Sequence, residues 1–467
     1  MSFLEPSLEE QQRILDAVAQ LAIARAEGAS QIDISPRLDA EELRSRLAGL
    51  DAEFPMDAHA AVEWSTNLMD ESMVHTTSPS YFGLFNPSPS FMGVVGDLLT
   101  AVYNPQLAVW SHAPGPVEIE AWLVQFLGHR IGFGGEFGGS FTSGGAEANA
   151  MAMHLALTHM FPEFGSTGLR AVEADPVIYI STESHHAWVK IAHACGIGRD
   201  SIRHIPVTDD LKLDPAVLRN MIAEAEVAGK RPTLVVATAG TTSAGIIDDL
   251  HEIGSIATEH DIFFHVDAAW GGSAVLSDTL RRHLDGIETA DSVTIDAHKW
   301  LSVPMGAGIF LTPHTELLNE TYRISTAYMP DAVADTIDPY ATTNQWSRRF
   351  IGLKLFLTLL TAGRTGYERQ FDHDTELGDY LRQRLTDTGW DTINDTPLPV
   401  VCFVDPGAPQ DMAHHQRIVD QVLDTGQAWI STTAVDGRPT IRACITSHRT
   451  THKDIDALVE LLQETRP

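Results

Sequence analysis

The stretch Ser292-Val293-Thr294-Ile295-Asp296-Ala297-His298-Lys299-Trp300 is β-like and stops at a lysine between two aromatic rings. A lysine at a strand end with apolar neighbours can be desolvated, which lowers the ammonium pKa toward a neutral amine able to form a Schiff base. On this stretch alone Lys299 is equally a surface lysine ending a strand. Thr142-Ser143-Gly144-Gly145-Ala146-Glu147-Ala148-Asn149 is a glycine turn running into a helical segment. Backbone N–H groups close on an anion there, and the helix N-terminus favours negative charge, so the turn suits a phosphate. It matches neither GxGxxG nor GxxxxGK, which points away from a dinucleotide; a glycine-rich helix start without any ligand has the same appearance. His185-His186-Ala187-Trp188 follows an apolar run, and an imidazole at such a place stacks on a planar heteroaromatic or is a satisfied core histidine. With no HExxH and no cysteine nearby, no metal is expected. Val266-Asp267-Ala268-Ala269 ends another apolar run with a carboxylate, which pairs with a cation or caps the next turn. Thr238-Ala239-Gly240-Thr241-Thr242 offers hydroxyls to a ring substituent or a phosphate.

These parts need elements to position them. Short β-branched runs at 176–181, 202–207, 233–238, 262–268, 292–295 and 307–311 alternate with helical segments from about residue 92 to 313. The pattern predicts an α/β domain with a mostly parallel sheet covered on both faces. In such sheets ligands sit at the carboxyl ends of the strands, where all these constellations fall. A phosphate cradle, a planar stacker, a carboxylate for a ring nitrogen and a Schiff-base lysine are together what pyridoxal phosphate requires: its protonated pyridine ring is an electron sink, and the carboxylate keeps it protonated. Residues 8–25 and 40–50 predict amphipathic helices, too short to bury their apolar stripes alone. A third region holds strand-like runs at 398–404, 428–433 and 440–445 and a closing helix at 453–464, and reads as a small α+β domain.

Composition narrows the class. Lys+Arg 31 against Asp+Glu 63 gives a formal charge of −32, which repels nucleic acid and anionic membrane. No apolar run reaches bilayer length uninterrupted and no secretory leader opens the chain, so a cytoplasmic location is expected. Cys195, Cys402 and Cys444 form no CxxC pair and are expected as reduced thiols.

In TSGGAEAN, SHHAW, ATAGTT, HVDAAWGG and above all DAHKW, the sequence resembles the group II pyridoxal-phosphate-dependent amino acid decarboxylases, from about residue 78 to 447. The resemblance implies an aminotransferase-like type I fold: an α/β domain at 78–366 with a mostly parallel sheet of the seven-stranded type, and a small α+β domain at 367–467. The helical segment 1–77 would pack on a partner subunit, in a homodimer with shared active sites. Lys299 would bond the cofactor, Asp267 the pyridine nitrogen, and Ala269 would lie on one ring face. His186 rather than His185 matches the stacking, catalytic histidine, by its spacing to Ala192. Backbone of Gly144, Gly145 and Ala146 with His298 would hold the phosphate, and Asn149, Thr241 and Thr242 would complete the cofactor set. The polar segment 328–347 resembles an active-site lid, and its Tyr340 the family's proton donor, given to the neighbouring subunit, although its distance to Arg348-Arg349-Phe350 is one residue shorter than the family's.

For the substrate, an amino acid, Tyr81, Phe82, Phe85 and Trp110 are expected to line an apolar pocket, and Arg442 resembles a substrate-side arginine. Gln106, Ser111 and His112 make the pocket more polar than in the animal aromatic enzymes. The expectation is α-decarboxylation of an aromatic L-amino acid to CO2 and its amine. An acidic or diamino substrate stands as the alternative, as does an aldehyde synthase or aminotransferase; a nucleotide-dependent dehydrogenase lacks its fingerprint.

Overall fold

Seven strands form one sheet in a computed structural model that describes residues 4–29, 32–36, 39–324 and 333–466. They are β1 (Gly138–Thr142), β2 (Pro176–Ser181), β3 (Ile202–Ile205), β4 (Arg231–Thr238), β5 (Phe263–Asp267), β6 (Ser292–Asp296) and β7 (Gly308–Thr312), in the order β1-β7-β6-β5-β4-β2-β3. From β6 through β5, β4 and β2 to β3 every pairing is parallel. Only β7 runs against its neighbours. Every residue of β2, β5, β6 and β7 is buried, as a sheet with both faces covered requires. Six of the strands occupy the runs marked by β-branched residues. β1 was not foreseen, because Gly138 and Gly139 are poor strand formers. Packing demands Gly139: a side chain there would place its Cβ 2.1 Å from the carbonyl oxygen of Phe310.

The N-terminal helices α1 (Leu8–Gly28), α2 (Ala40–Ala48) and α3 (Ala58–Ser72) bury no residue at all, although Ser7 and Glu10 close a capping box on α1 and Arg25 pairs with Asp70. α4 (Phe91–Tyr103) and α5 (Pro114–Ile131) lead into the sheet, and α6 (Gly145–Met160) lies on it with most of its length buried. A second, antiparallel sheet contains β8 (Asp391–Thr392), β9 (Val400–Val404), β10 (Ser431–Val435) and β11 (Arg438–Cys444), in the order β10-β11-β9-β8. Helices Met412–Asp424 and His452–Thr465 cover it.

The long helix Leu353–Asp387 joins the two sheets. Gly363, with φ 67° and ψ 168°, breaks its regular geometry. Ahead of the break Leu355 and Leu359 pack in the core of the seven-stranded sheet; behind it Leu377, Leu381 and Leu385 pack in that of the second. Among the described residues no helix is long and apolar enough to cross a membrane.

Candidate active site

The carboxyl ends of β1, β4, β5 and β6 open on one side of the sheet, as parallel pairing dictates for the last three. At the end of β6 the chain turns, with the Lys299 N–H on the Asp296 carbonyl, and the Lys299 ammonium lies 3.1 Å from Asp296 Oδ2. Lys299 keeps about a quarter of its side chain exposed, whereas Asp296 is buried. Trp300 only packs: it is buried against Phe371 and donates its indole N–H to Asp374, whose carboxyl burial pushes up to about 7. His298 Nδ1 lies 3.0 Å from the Ala307 carbonyl oxygen and 3.1 Å from its backbone nitrogen, and burial lowers the His298 pKa.

Asp267, at the end of β5 and next to β6, is almost wholly buried. Its Oδ2 accepts a hydrogen bond from Asn149 Nδ2 at 2.7 Å, and its Oδ1 the N–H of Ala269 at 3.3 Å. These donors are what an ionised carboxylate needs when water is excluded.

Gly144 and Gly145 sit where β1 becomes α6. A Cβ on Gly145 would lie 2.8 Å from Asp296 Oδ2 and 3.3 Å from the Ala269 Cβ; one on Gly144 would lie 3.2 Å from His298 Cε1. Gly308 packs back on Gly144, where a Cβ would come within 2.6 Å of its backbone. The two glycines therefore let the start of α6 pack closely on Asp296, Ala269 and His298, and the first amides of that helix, of Gly145 and Ala146, have no acceptor inside it. These amides, the buried carboxylate of Asp267 and the amine of Lys299 fit a group carrying a phosphate, a basic ring nitrogen and an aldehyde. Glu147 closes the turn by accepting the Ser143 N–H at 2.7 Å, and also takes a hydrogen bond from Gln345 of the 333–347 segment.

Several expected site residues stand elsewhere. His186 caps the short helix Ala187–Ala194, and it is His185 on which the charges of Asp267, Lys299 and Asp296 act; burial, the largest influence, lowers the His185 pKa. His185 thus stands near these charges, with its Nδ1 accepting the Ala187 N–H, while Ser184 turns in toward Thr238. Thr241 turns its hydroxyl back to the Ile246 N–H and is buried, while the Thr242 carbonyl accepts from Arg442. Phe82 cannot line a pocket, because it is fully buried in the core of the second sheet with Val401 and Ile430. Tyr81 anchors the same loop, packed on Trp429 and donating its hydroxyl to Asn86. Phe85 is buried and stacked on Trp270 at 4.5 Å. Arg442 lies over its other side at 5.6 Å and donates to Ser431 as well as to Thr242. Trp110 packs by Leu107, Val117 and Phe350, with its indole N–H on Glu118.

Tyr340 donates its backbone N–H to Ala108 and rests against Trp346. It faces a cavity along β1 with Phe141, Thr315 and Arg348, and Lys299 is not among that cavity's walls. The start of the expected lid, through residue 332, lies outside the described residues. Two partners of the site went unnoticed in the sequence. Asp296 is the residue three before Lys299, and His265 lies two before Asp267 on the same face of β5; the i, i+2 spacing was the available signal.

The pyridoxal-dependent decarboxylase conserved domain matches residues 47–404. An aromatic-L-amino-acid decarboxylase of Bacillus atrophaeus is 27% identical over 464 residues, covering 97% of this chain and 94% of the relative. The L-aspartate decarboxylase dtxS4 of Metarhizium robertsii is 32% identical over 366 residues, 76% of this chain and 73% of the relative. The crystal structure of Oryza sativa TDC with PLP and tryptamine superposes with a TM-score of 0.94 at 22% identity, covering 99% of each chain, and shows the same fold.

Proposed function

The chain belongs to the pyridoxal-dependent decarboxylase family, is an amino acid carboxy-lyase and uses pyridoxal 5'-phosphate, and on that premise we propose that it removes the α-carboxylate of an aromatic L-amino acid. When bound, the cofactor supplies an electron-accepting ring for the pair left by the departing CO2. The chain's residues bind and orient around it. Lys299 provides the amine, Asp267 holds a proton at the ring nitrogen, and His185 covers the ring. The amides of Gly145 and Ala146 hold the phosphate at the start of α6. Tyr340 gives its proton to Cα in the partner subunit's site, which accounts for its place away from Lys299 of its own chain.

The observation that carries the reading is the pairing of β5 with β6. It sets the buried, hydrogen-bonded carboxylate of Asp267 and the amine of Lys299 at adjacent strand ends, beside the glycines that open α6.

For the side chain, Phe85 stacked on Trp270 offers an aromatic wall, and Arg442 is already engaged with Thr242, Ser431 and the Phe85 ring. An arginine so held favours an aromatic group over a second carboxylate. One observation favours an acidic substrate instead: Nε of Arg442 is buried without a partner among the described residues. Release of CO2 from each of the twenty L-amino acids decides between them. The highest kcat/KM on an aromatic substrate supports the first reading and on aspartate or glutamate the second; release from none sinks both.

The site is shared in a homodimer, with 1–77 lying on the partner, 78–366 carrying the cofactor and 367–467 closing the site. Helices that bury nothing yet carry exposed Leu15, Val18 and Ile23 support this arrangement, as do exposed Leu98, Val102 and Tyr103 on α4. Light scattering that returns a monomer's mass for the cofactor-loaded protein would exclude it.

A further inference from the structure

His265 is wholly buried on β5 beneath the site, edge-on to Trp188, and no step above uses it. Its ring closes a chain of hydrogen bonds that ends at Asp267. Nδ1 lies 2.8 Å from Ser292 Oγ, and Nε2 lies 3.2 Å from Asn149 Oδ1, while Asn149 Nδ2 donates to Asp267 at 2.7 Å. Thr294 Oγ1 lies 3.4 Å from the same Nε2.

The donor directions follow from the anion at the end of the chain. An ionised Asp267 requires the NH2 side of the Asn149 amide, so the amide oxygen faces His265, and Nε2 must carry the hydrogen. Nδ1 then accepts from the Ser292 hydroxyl. With the other tautomer Asn149 turns over, and its oxygen meets a carboxylate oxygen, a contact tolerated only if Asp267 is protonated.

We propose that His265 is a positioning residue that keeps Asp267 ionised, by holding Asn149 with its NH2 group toward the carboxylate. Burial, which brings the His265 pKa down to about 4, keeps the ring neutral and able to serve at any pH near neutrality. The inference rests on the reading of Asp267 as the partner of the cofactor's ring nitrogen. A weaker anion at Asp267 lowers the proton affinity of that nitrogen, and loss of the amide's orientation costs about tenfold in this affinity.

Two experiments test the proposal. In cofactor-free protein labelled with 15N-histidine, His265 is expected as the neutral Nε2–H tautomer; the Nδ1–H tautomer or an imidazolium overturns the proposal whether or not any cofactor binds. In protein loaded with 15N-labelled pyridoxal phosphate, the ring-nitrogen proton is followed against pH by NMR. His265→Gln, whose amide can donate from the Nε2 position, should titrate like the parent. His265→Leu should lose the proton about one pH unit lower, a tenfold effect. Equal titration of parent and His265→Leu, or of the two variants, contradicts the positioning role. Failure of the parent to bind pyridoxal phosphate overturns the functional reading instead, and leaves the tautomer measurement to decide on the relay.

Discussion

Replacing Gly145 by alanine tests whether the start of α6 holds the phosphate. The added Cβ meets Asp296 Oδ2 at 2.8 Å and the Ala269 Cβ at 3.3 Å. Neither neighbour retreats cheaply: the Asp296 N–H is bonded to the Ala269 carbonyl at 2.7 Å, and its carboxylate is paired with Lys299. Overpacking of this kind costs about 1–3 kcal/mol. Alanine returns at most about 1 kcal/mol over glycine as a helix former, and less in a first turn. The cofactor-free fold therefore loses little. Pyridoxal phosphate binding loses more, because relief of the clash displaces the first amides of α6, which hold the phosphate, or Asp296 and with it Lys299. The expected fall in affinity is about 10- to 100-fold, equivalent to roughly 1.4–2.8 kcal/mol. Absorbance titration of cofactor-free protein with pyridoxal phosphate reads it, with a urea midpoint taken in parallel. Gly144→Ala is the internal comparison, since its Cβ meets only the His298 ring, at 3.2 Å, and should bind more tightly than Gly145→Ala. Parent-like affinity in folded Gly145→Ala protein would refute the assignment of the phosphate to the start of α6.

Tyr340→Phe should retain the cofactor but lose amine product, diverting substrate to aldehyde; unchanged amine formation removes Tyr340 from the mechanism. If that tyrosine serves the partner's site, mixing unfolded Tyr340→Phe and Lys299→Ala chains and refolding them together should restore amine formation that neither has alone. Asp374 is buried with its carboxyl raised from 3.8 to about 7, so its contribution to stability is present below about pH 4 and lost as pH rises through about 7. Asp374→Asn cannot ionise and still accepts the Trp300 indole N–H; its stability relative to the parent should rise by on the order of 1–3 kcal/mol between pH 5 and pH 8. Urea midpoints at the two pH values check this, and a constant difference contradicts it.

The strands that carry the chemistry could be read from the chain because buried parallel strands are continuous apolar runs, and 176–181 or 233–238 admit few other structures. β1 could not, since its Gly139 is explained only by the Phe310 backbone beside it. Lys299, Asp267 and the Gly144 turn were legible for a similar reason: each stands at the end of such a run. The register of adjacent histidines was not, because a choice between His185 and His186 depends on how the Ser184 turn folds back to Thr238. The aromatic loop 78–90 misled in part. Composition marks Tyr81, Phe82 and Phe85 alike, yet the loop runs between the two sheets and gives Phe82 to one core and Phe85 to the other. The relay from Ser292 through His265 and Asn149 joins three elements, and no spacing along one element reveals it.

Everything turns on Lys299 carrying the cofactor. Borohydride reduction of the cofactor-loaded protein fixes a carbon–nitrogen double bond, and digestion with mass spectrometry locates it. A phosphopyridoxyl group is expected on the peptide containing Asp296-Ala297-His298-Lys299-Trp300, with loss of the visible absorption band, and no such adduct in Lys299→Ala. A group attached at another lysine, or none in protein that binds the cofactor, would contradict it.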